Sequence, residues 1–147
     1  MSDAYLIDPY GPFEVRIFLP SNPGPDTSLI VAVTGFVWWK LASLNATWAN
    51  PAGIPNLFAT VFLTQSNNFL CSIPHPTIIA SGTAVGVSFV LGAPNNAAST
   101  QTLAQTLPDV YVVGDGSIGA GFDGGVAGKT ISSIVCSVYG KRARRGP

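Results

Sequence analysis

Thr83-Ala84-Val85-Gly86-Val87-Ser88-Phe89-Val90-Leu91 decides the fold. Val85, Val87, Phe89 and Leu91 alternate with Ala84, Gly86, Ser88 and Val90. A period of two belongs to a β-strand, whose successive side chains point to opposite faces of a sheet. Both sets are small or apolar, which places this strand centrally. Outward from it, no stretch carries apolar residues at three- and four-residue spacing over ten or more positions without a glycine or proline. The 16 Gly and 12 Pro are spread almost evenly, with β-branched and aromatic residues gathered between them, as in a chain of short strands joined by frequent turns.

On the N-terminal side, Leu57, Ala59, Val61 and Leu63 alternate with Phe58, Thr60, Phe62 and Thr64, a strand with both faces at least partly buried. Gln65-Ser66-Asn67-Asn68 turns the chain into Phe69 to Ile73, which Pro74-His75-Pro76 should end, because proline cannot donate to a ladder. That makes a short edge strand. Phe13, Val15, Ile17 and Leu19 alternate with Glu14, Arg16 and Phe18, giving a strand with one apolar and one mixed face. Leu29 to Val33 and Phe36 to Leu41 follow, with Thr34-Gly35 either a turn between them or a bulge within one long strand. On the C-terminal side, the small polar stretch Ala93 to Thr106 leaves room for one short helix, at Ala97 to Leu107. Val110 to Val113 and Thr130 to Tyr139 complete the strands, separated by a glycine-rich loop from Gly114 to Gly128. The expected architecture is an all-β, antiparallel sandwich or jelly roll of about eight strands.

The 147 residues suit one domain, large enough to bury roughly two-thirds of its unfolded surface. Only 10% of them are charged and 47% are hydrophobic, against a usual charged share of about 25%. A surface so poor in ions lacks like-charge repulsion and favours association. The zero net charge also hides an asymmetry. Lys141, Arg142, Arg144 and Arg145 form a basic tail (residues 141–147) of formal charge +4, whereas the body (1–140) has three basic and seven acidic residues, a formal charge of −4. Four cations in five residues suit electrostatic contact with phosphates. They equally suit docking on an acidic neighbouring subunit, cleavage at Arg142-Ala143-Arg144-Arg145, or simple solubilisation.

The other motifs are weak. No apolar run approaches the roughly twenty residues of a membrane-spanning helix, and the N-terminus lacks the pattern of a secretory signal. Asn45-Ala46-Thr47 fits a glycan acceptor, which means little without such a signal. Gly114-Asp115-Gly116-Ser117-Ile118-Gly119 has the spacing of a dinucleotide-binding turn, but glycine-rich sequence follows where a helix should open. Asp115 and Asp123 could offer oxygens to calcium, although solvated loop acids are the plainer reading. His75 is the only histidine, and no nucleophile motif or metal-ligand set surrounds it. Cys71 and Cys136 suit buried thiols. Neither catalytic residues nor a cofactor or metal is expected. Trp38, Trp39 and Trp48 concentrate aromatic surface: of the adjacent pair one should enter the core, leaving the other for an interface, a sugar ring or cover by a neighbouring element.

Short strands, Pro/Gly-rich loops, scarce charge and a basic terminal arm together resemble a small viral coat protein, or the protruding domain of one, of the jelly-roll type found in RNA viruses. The resemblance is one of organisation over most of the chain. Such families usually carry the basic arm at the N-terminus, whereas here it is C-terminal. The resemblance implies a non-enzymatic virion protein that assembles with copies of itself or other coat subunits. Its basic residues would be free for viral nucleic acid or a neighbour, and it would occupy host cytoplasm during assembly. The alternative is a lectin-like sandwich that stacks a sugar on an exposed tryptophan and binds its hydroxyls through loop Asp and Asn.

Overall fold

The computed structural model describes residues 5–7, 13–35, 37–92, 104–124 and 127–145, all of them strand, turn or irregular structure with no helix. Eleven strands run in order: β1 (Tyr5–Ile7), β2 (Glu14–Phe18), β3 (Leu29–Ala32), β4 (Val37–Ala49), β5 (Leu57–Gln65), β6 (Asn68–Ile79), β7 (Ala84–Leu91), β8 (Ala104–Leu107), β9 (Tyr111–Val112), β10 (Ser117–Asp123) and β11 (Thr130–Arg145). One sheet has the order β1-β11-β4-β7-β8, with β2 also on β11 and β9 also on β4; the other has the order β3-β10-β5-β6. Every pairing is antiparallel except β7 with β8.

The two sheets form a β-sandwich around a single core. Leu44, Trp48, Phe89, Cys136 and Val138 from one sheet meet Ala59, Val61, Ile118 and Ala120 from the other, all fully buried. Each large apolar side chain so enclosed contributes about 1.5–3 kcal/mol. The Trp48 indole Nε1 crosses between the sheets and donates to the Gly121 carbonyl at 3.3 Å. The period-two run at β7 lies between β4 and β8, inside its sheet. The expected turn after β5 is a two-residue hairpin loop: Gln65 pairs with Asn68, and Ser66 and Asn67 both have positive φ, as a type I′ turn requires.

Several expectations need correction. The loop expected from Gly114 to Gly128 contains β10, an interior strand of its sheet. Ile118, Ala120 and Phe122 face the core, and Gly119 and Gly121 occupy the outer face, where the ring of Phe62 lies across Gly119 and leaves no room for a Cβ. Pro74-His75-Pro76 does not end its strand. β6 runs on to Ile79 because it is an edge strand and its pairing with β5 is broken between Pro74 and Ile78, so neither proline has to donate. Of the stretch offered as a short helix, 104–107 is strand β8 and 97–103 lies outside the described residues. Thr34-Gly35 separates strands of different sheets and is therefore no bulge; Gly35 has φ 76°.

β4 and β11 are much longer than the sequence suggested, and each contains a bulge. On β4 the extra residue lies between Leu41 and Ser43; on β11 it lies between Ser132 and Val135, where Ser133 takes φ 52°. An unpaired residue reverses which positions face inward. Thus Leu41 is buried in odd phase but Leu44, Ala46 and Trp48 in even phase, and Ile131 gives way to Ile134, Cys136 and Val138.

Candidate functional site

β2 pairs with β11 without irregularity, Val15 opposite Tyr139, Arg16 opposite Val138 and Ile17 opposite Ser137. Directly opposite residues share a face. Because Cys136 and Val138 point into the core, Phe18 and Arg16 take the inner side of β2 while Val15 and Ile17 take the outer one. Phe18 fills the sandwich rim against Trp39, with ring centroids 5.9 Å apart. Arg16 overhangs the rim and bonds Glu14 at 2.9 Å. The apolar residues go the other way: Phe13, Val15, Ile17 and Leu19 are 50%, 59%, 71% and 76% exposed. A row of large apolar side chains therefore lines the outer surface of an edge strand, the reverse of the usual arrangement.

The basic segment adjoins this row. Lys141 pairs with Trp38 and Arg142 with Val37 on β4, and 143–145 pair with β1, so to Arg145 the tail is a continuation of β11. Lys141 Nζ lies 5.0 Å from the Phe13 ring, whose other neighbour is Tyr139 at 5.3 Å between centroids. Arg142 is exposed. The side chains of Arg144 and Arg145 lie outside the description.

The tryptophans have different roles. Trp48 is core. Trp39 packs against the core and Trp38, on the opposite side of β4, is half-buried beside Tyr111, edge to face at 6.2 Å. The Lys40 ammonium sits over the same Tyr111 ring at 4.8 Å and bonds Asp109 at 2.6 Å, and that carboxylate raises its pKa. Trp38 is thus covered in part by a neighbouring element.

A second surface escaped the sequence reading. On the outer face of the β3-β10-β5-β6 sheet, Phe62 divides two shallow hollows of about 740 and 310 Å³. Ile30 and Phe69, 63% and 72% exposed, and the hydroxyl residues Ser28, Thr64 and Ser117 line the larger. Its signal was the alternation of Gly119 and Gly121 with Ile118, Ala120 and Phe122.

The remaining candidates are structural in setting. Asp115 accepts from Gln65 Nε2 and from Ser66 Oγ, fastening the turn before β10 to the hairpin. Asp123 is at the far end of that seven-residue strand, roughly 20 Å away. Among the described residues no cluster of three His, Cys, Asp or Glu could hold a metal. His75 is buried edge to face on Phe89 at 5.3 Å, and its Nδ1 accepts from the Thr77 amide at 3.1 Å. Both cysteines are free. Burial pushes the Cys136 thiol up to about 12 and raises that of the half-buried Cys71. No helix among the described residues is long and apolar enough to cross a membrane. Compared with family models, curated proteins and solved structures, the chain matches none of them.

Proposed function

We propose that this chain is a structural coat protein of the jelly-roll type, which assembles with copies of itself, or with companion coat subunits, into a shell. The outward apolar row on β2 carries this reading: four large hydrophobic residues face solvent on an edge strand while its charged pair lies on the inner side. A surface of that kind is costly unless another molecule covers it. Strand order supports the jelly roll. Without the short β1, β8 and β9, the remaining eight strands in chain order lie first-eighth-third-sixth in one sheet and second-seventh-fourth-fifth in the other. Strands related in this way form the two Greek keys of a jelly roll. Sandwiches of that kind serve capsids and lectins alike, so topology alone does not choose between them.

In such a shell the basic end of β11 contacts nucleic acid or a neighbouring acidic body. Cutting the chain at Gly140 would remove residues that pair with β1 and β4; replacing Lys141, Arg142, Arg144 and Arg145 by Gln keeps the strand. The test is particle mass by light scattering and electron microscopy across a salt series, for the natural chain and this variant, with and without RNA. Large regular particles are expected. Particles that the variant still forms but leaves empty of RNA assign the cations to nucleic acid, whereas failure to assemble without RNA assigns them to subunit contact. A monomer or small oligomer under every condition overturns self-assembly of this chain alone and leaves assembly with companion subunits as the form to test. If particles form, the chain would be sought in virions and in the host cytoplasm during assembly.

The hollow around Phe62 favours a second reading, a carbohydrate-binding sandwich with the exposed Phe69 in place of a tryptophan. Glycan-array binding abolished by Phe69→Ala, with no particles formed, would favour it.

A further inference from the structure

We infer that β2 pairs antiparallel with β2 of a second copy, centred on Val15, and so joins the sheets of two subunits about a twofold axis. This names a subunit contact of the proposed shell and rests on that reading, but its test is separate.

Three observations carry it. The first is the open edge: among the described residues β2 pairs only with β11, and no bulge or proline interrupts the run from Phe13 to Leu19. An open edge can add a strand from another chain, and the inward charges Glu14 and Arg16 restrict which strand it accepts. The second is the apolar outer row, half to three-quarters exposed. The third selects both the partner and the register. In a twofold antiparallel pair the central residue faces itself, and its neighbours face each other in reverse order. Centred on Val15, the pairing sets each Glu14 opposite the Arg16 of the other copy, twice, while Phe13 meets Ile17 on the outer face. Centred on Arg16, it would oppose two guanidiniums. Centred on Ile17, it would set Arg16 opposite Phe18. Only the Val15 register turns the Glu14–Arg16 pair of one chain, 2.9 Å apart and about half exposed, into a four-membered charge cluster. The strand is thus complementary to itself in charge on one face and in apolar surface on the other.

The charge pattern supplies a test that a folding defect cannot imitate. E14R makes both positions basic, and R16E makes both acidic; each variant alone places like charges opposite each other, which is unfavourable. Together they restore two Glu–Arg contacts. In dilute low-salt solution, native mass spectrometry should show the natural chain as a dimer and each variant as a monomer, with dissociation constants raised at least tenfold. Their equimolar mixture should give a heterodimer. Variants that dimerise alone, a mixture that remains monomeric, or a monomeric natural chain each overturn the inference.

Val15→Cys gives an independent check, because the two thiols would face each other and oxidise to a disulfide-linked dimer, whereas Ile17→Cys would hold them several residues apart. Cross-linking equal for both, or for neither, removes the register. Dimers with nothing larger would sink the shell and leave this pairing standing, whereas particles indifferent to both charge variants would do the reverse.

Discussion

Gly119 shows how much of this fold rests on single atoms. The Phe62 ring lies where its Cβ would be, and two further glycines are closed off by backbone: a Cβ on Gly114 would stand 2.5 Å from the Gly35 carbonyl oxygen, and one on Gly116 2.7 Å from that of Thr64. Gly119→Ala should cost about 1–3 kcal/mol by forcing Phe62 aside. Combined with Phe62→Leu it should cost less than the two changes added together, as chemical denaturation would measure. Nothing in a single sequence separates such glycines from those of a mobile loop, because at Gly119 and Gly114 the atoms that exclude a side chain come from Phe62 and Gly35, over fifty residues away. Cys136 was more legible, its apolar neighbours forecasting burial. Its thiol, at about 12 in the fold against an ordinary 9.0, favours the folded state in its protonated form. That contribution is complete below pH 9 and is lost as pH rises from 9 towards 12. Maleimide labelling at pH 8 should therefore modify Cys71 slowly and Cys136 only on unfolding; equal labelling of both would contradict its burial.

At the scale of the element, the turn between β5 and β6 can be improved. Asn67 already holds φ 62°, a conformation that glycine adopts without steric cost. Asn67→Gly should stabilise the protein by about 0.5–1 kcal/mol, read as a rise in Tm with unchanged assembly; a fall would contradict the type I′ geometry. This turn, and the strands β5 and β7, could be read from the sequence because their side chains keep one phase and their breakers sit at the ends. β4 and β11 could be read only in part. A bulge reverses the phase after Leu41 in β4, so an uninterrupted alternation ends there, whereas β11 was read through its own bulge as far as Tyr139 and missed only where the charged residues begin. β6 hid for another reason: proline is barred from a strand only where its nitrogen must donate, and on an edge it need not. The basic segment was read as a tail because charge runs are usually solvated, yet its backbone finds partners on β4 at Lys141 and Arg142 and on β1 from 143 to 145.

The whole molecule keeps its apolar surplus partly outside, which separates stability from association. Val15→Thr with Ile17→Thr removes apolar surface exposed in the monomer, so unfolding free energy should move by no more than about 0.5 kcal/mol, while the concentration needed for assembly should rise several-fold in light scattering. A large loss of stability with unchanged assembly would mean that the row packs inside its own chain. The two-sheet architecture was legible from composition and spacing, but the outward orientation of β2 was not, because alternation says that two faces differ without saying which one the core will take.

The position of β11 has a further consequence. It pairs with β1, β2 and β4 at once, yet it is the last described strand to leave the ribosome. The hairpin of β5 and β6 can close as soon as it emerges, whereas β4 lacks one flank until residues from Thr130 follow and β2 has no described partner until residues 136–140 do. A nascent chain therefore carries its most adhesive strand unprotected until residues 136–140 have followed it. Folding that waits on contacts so distant in sequence runs in milliseconds to seconds, long enough on a crowded polysome for neighbouring chains to meet before either is complete.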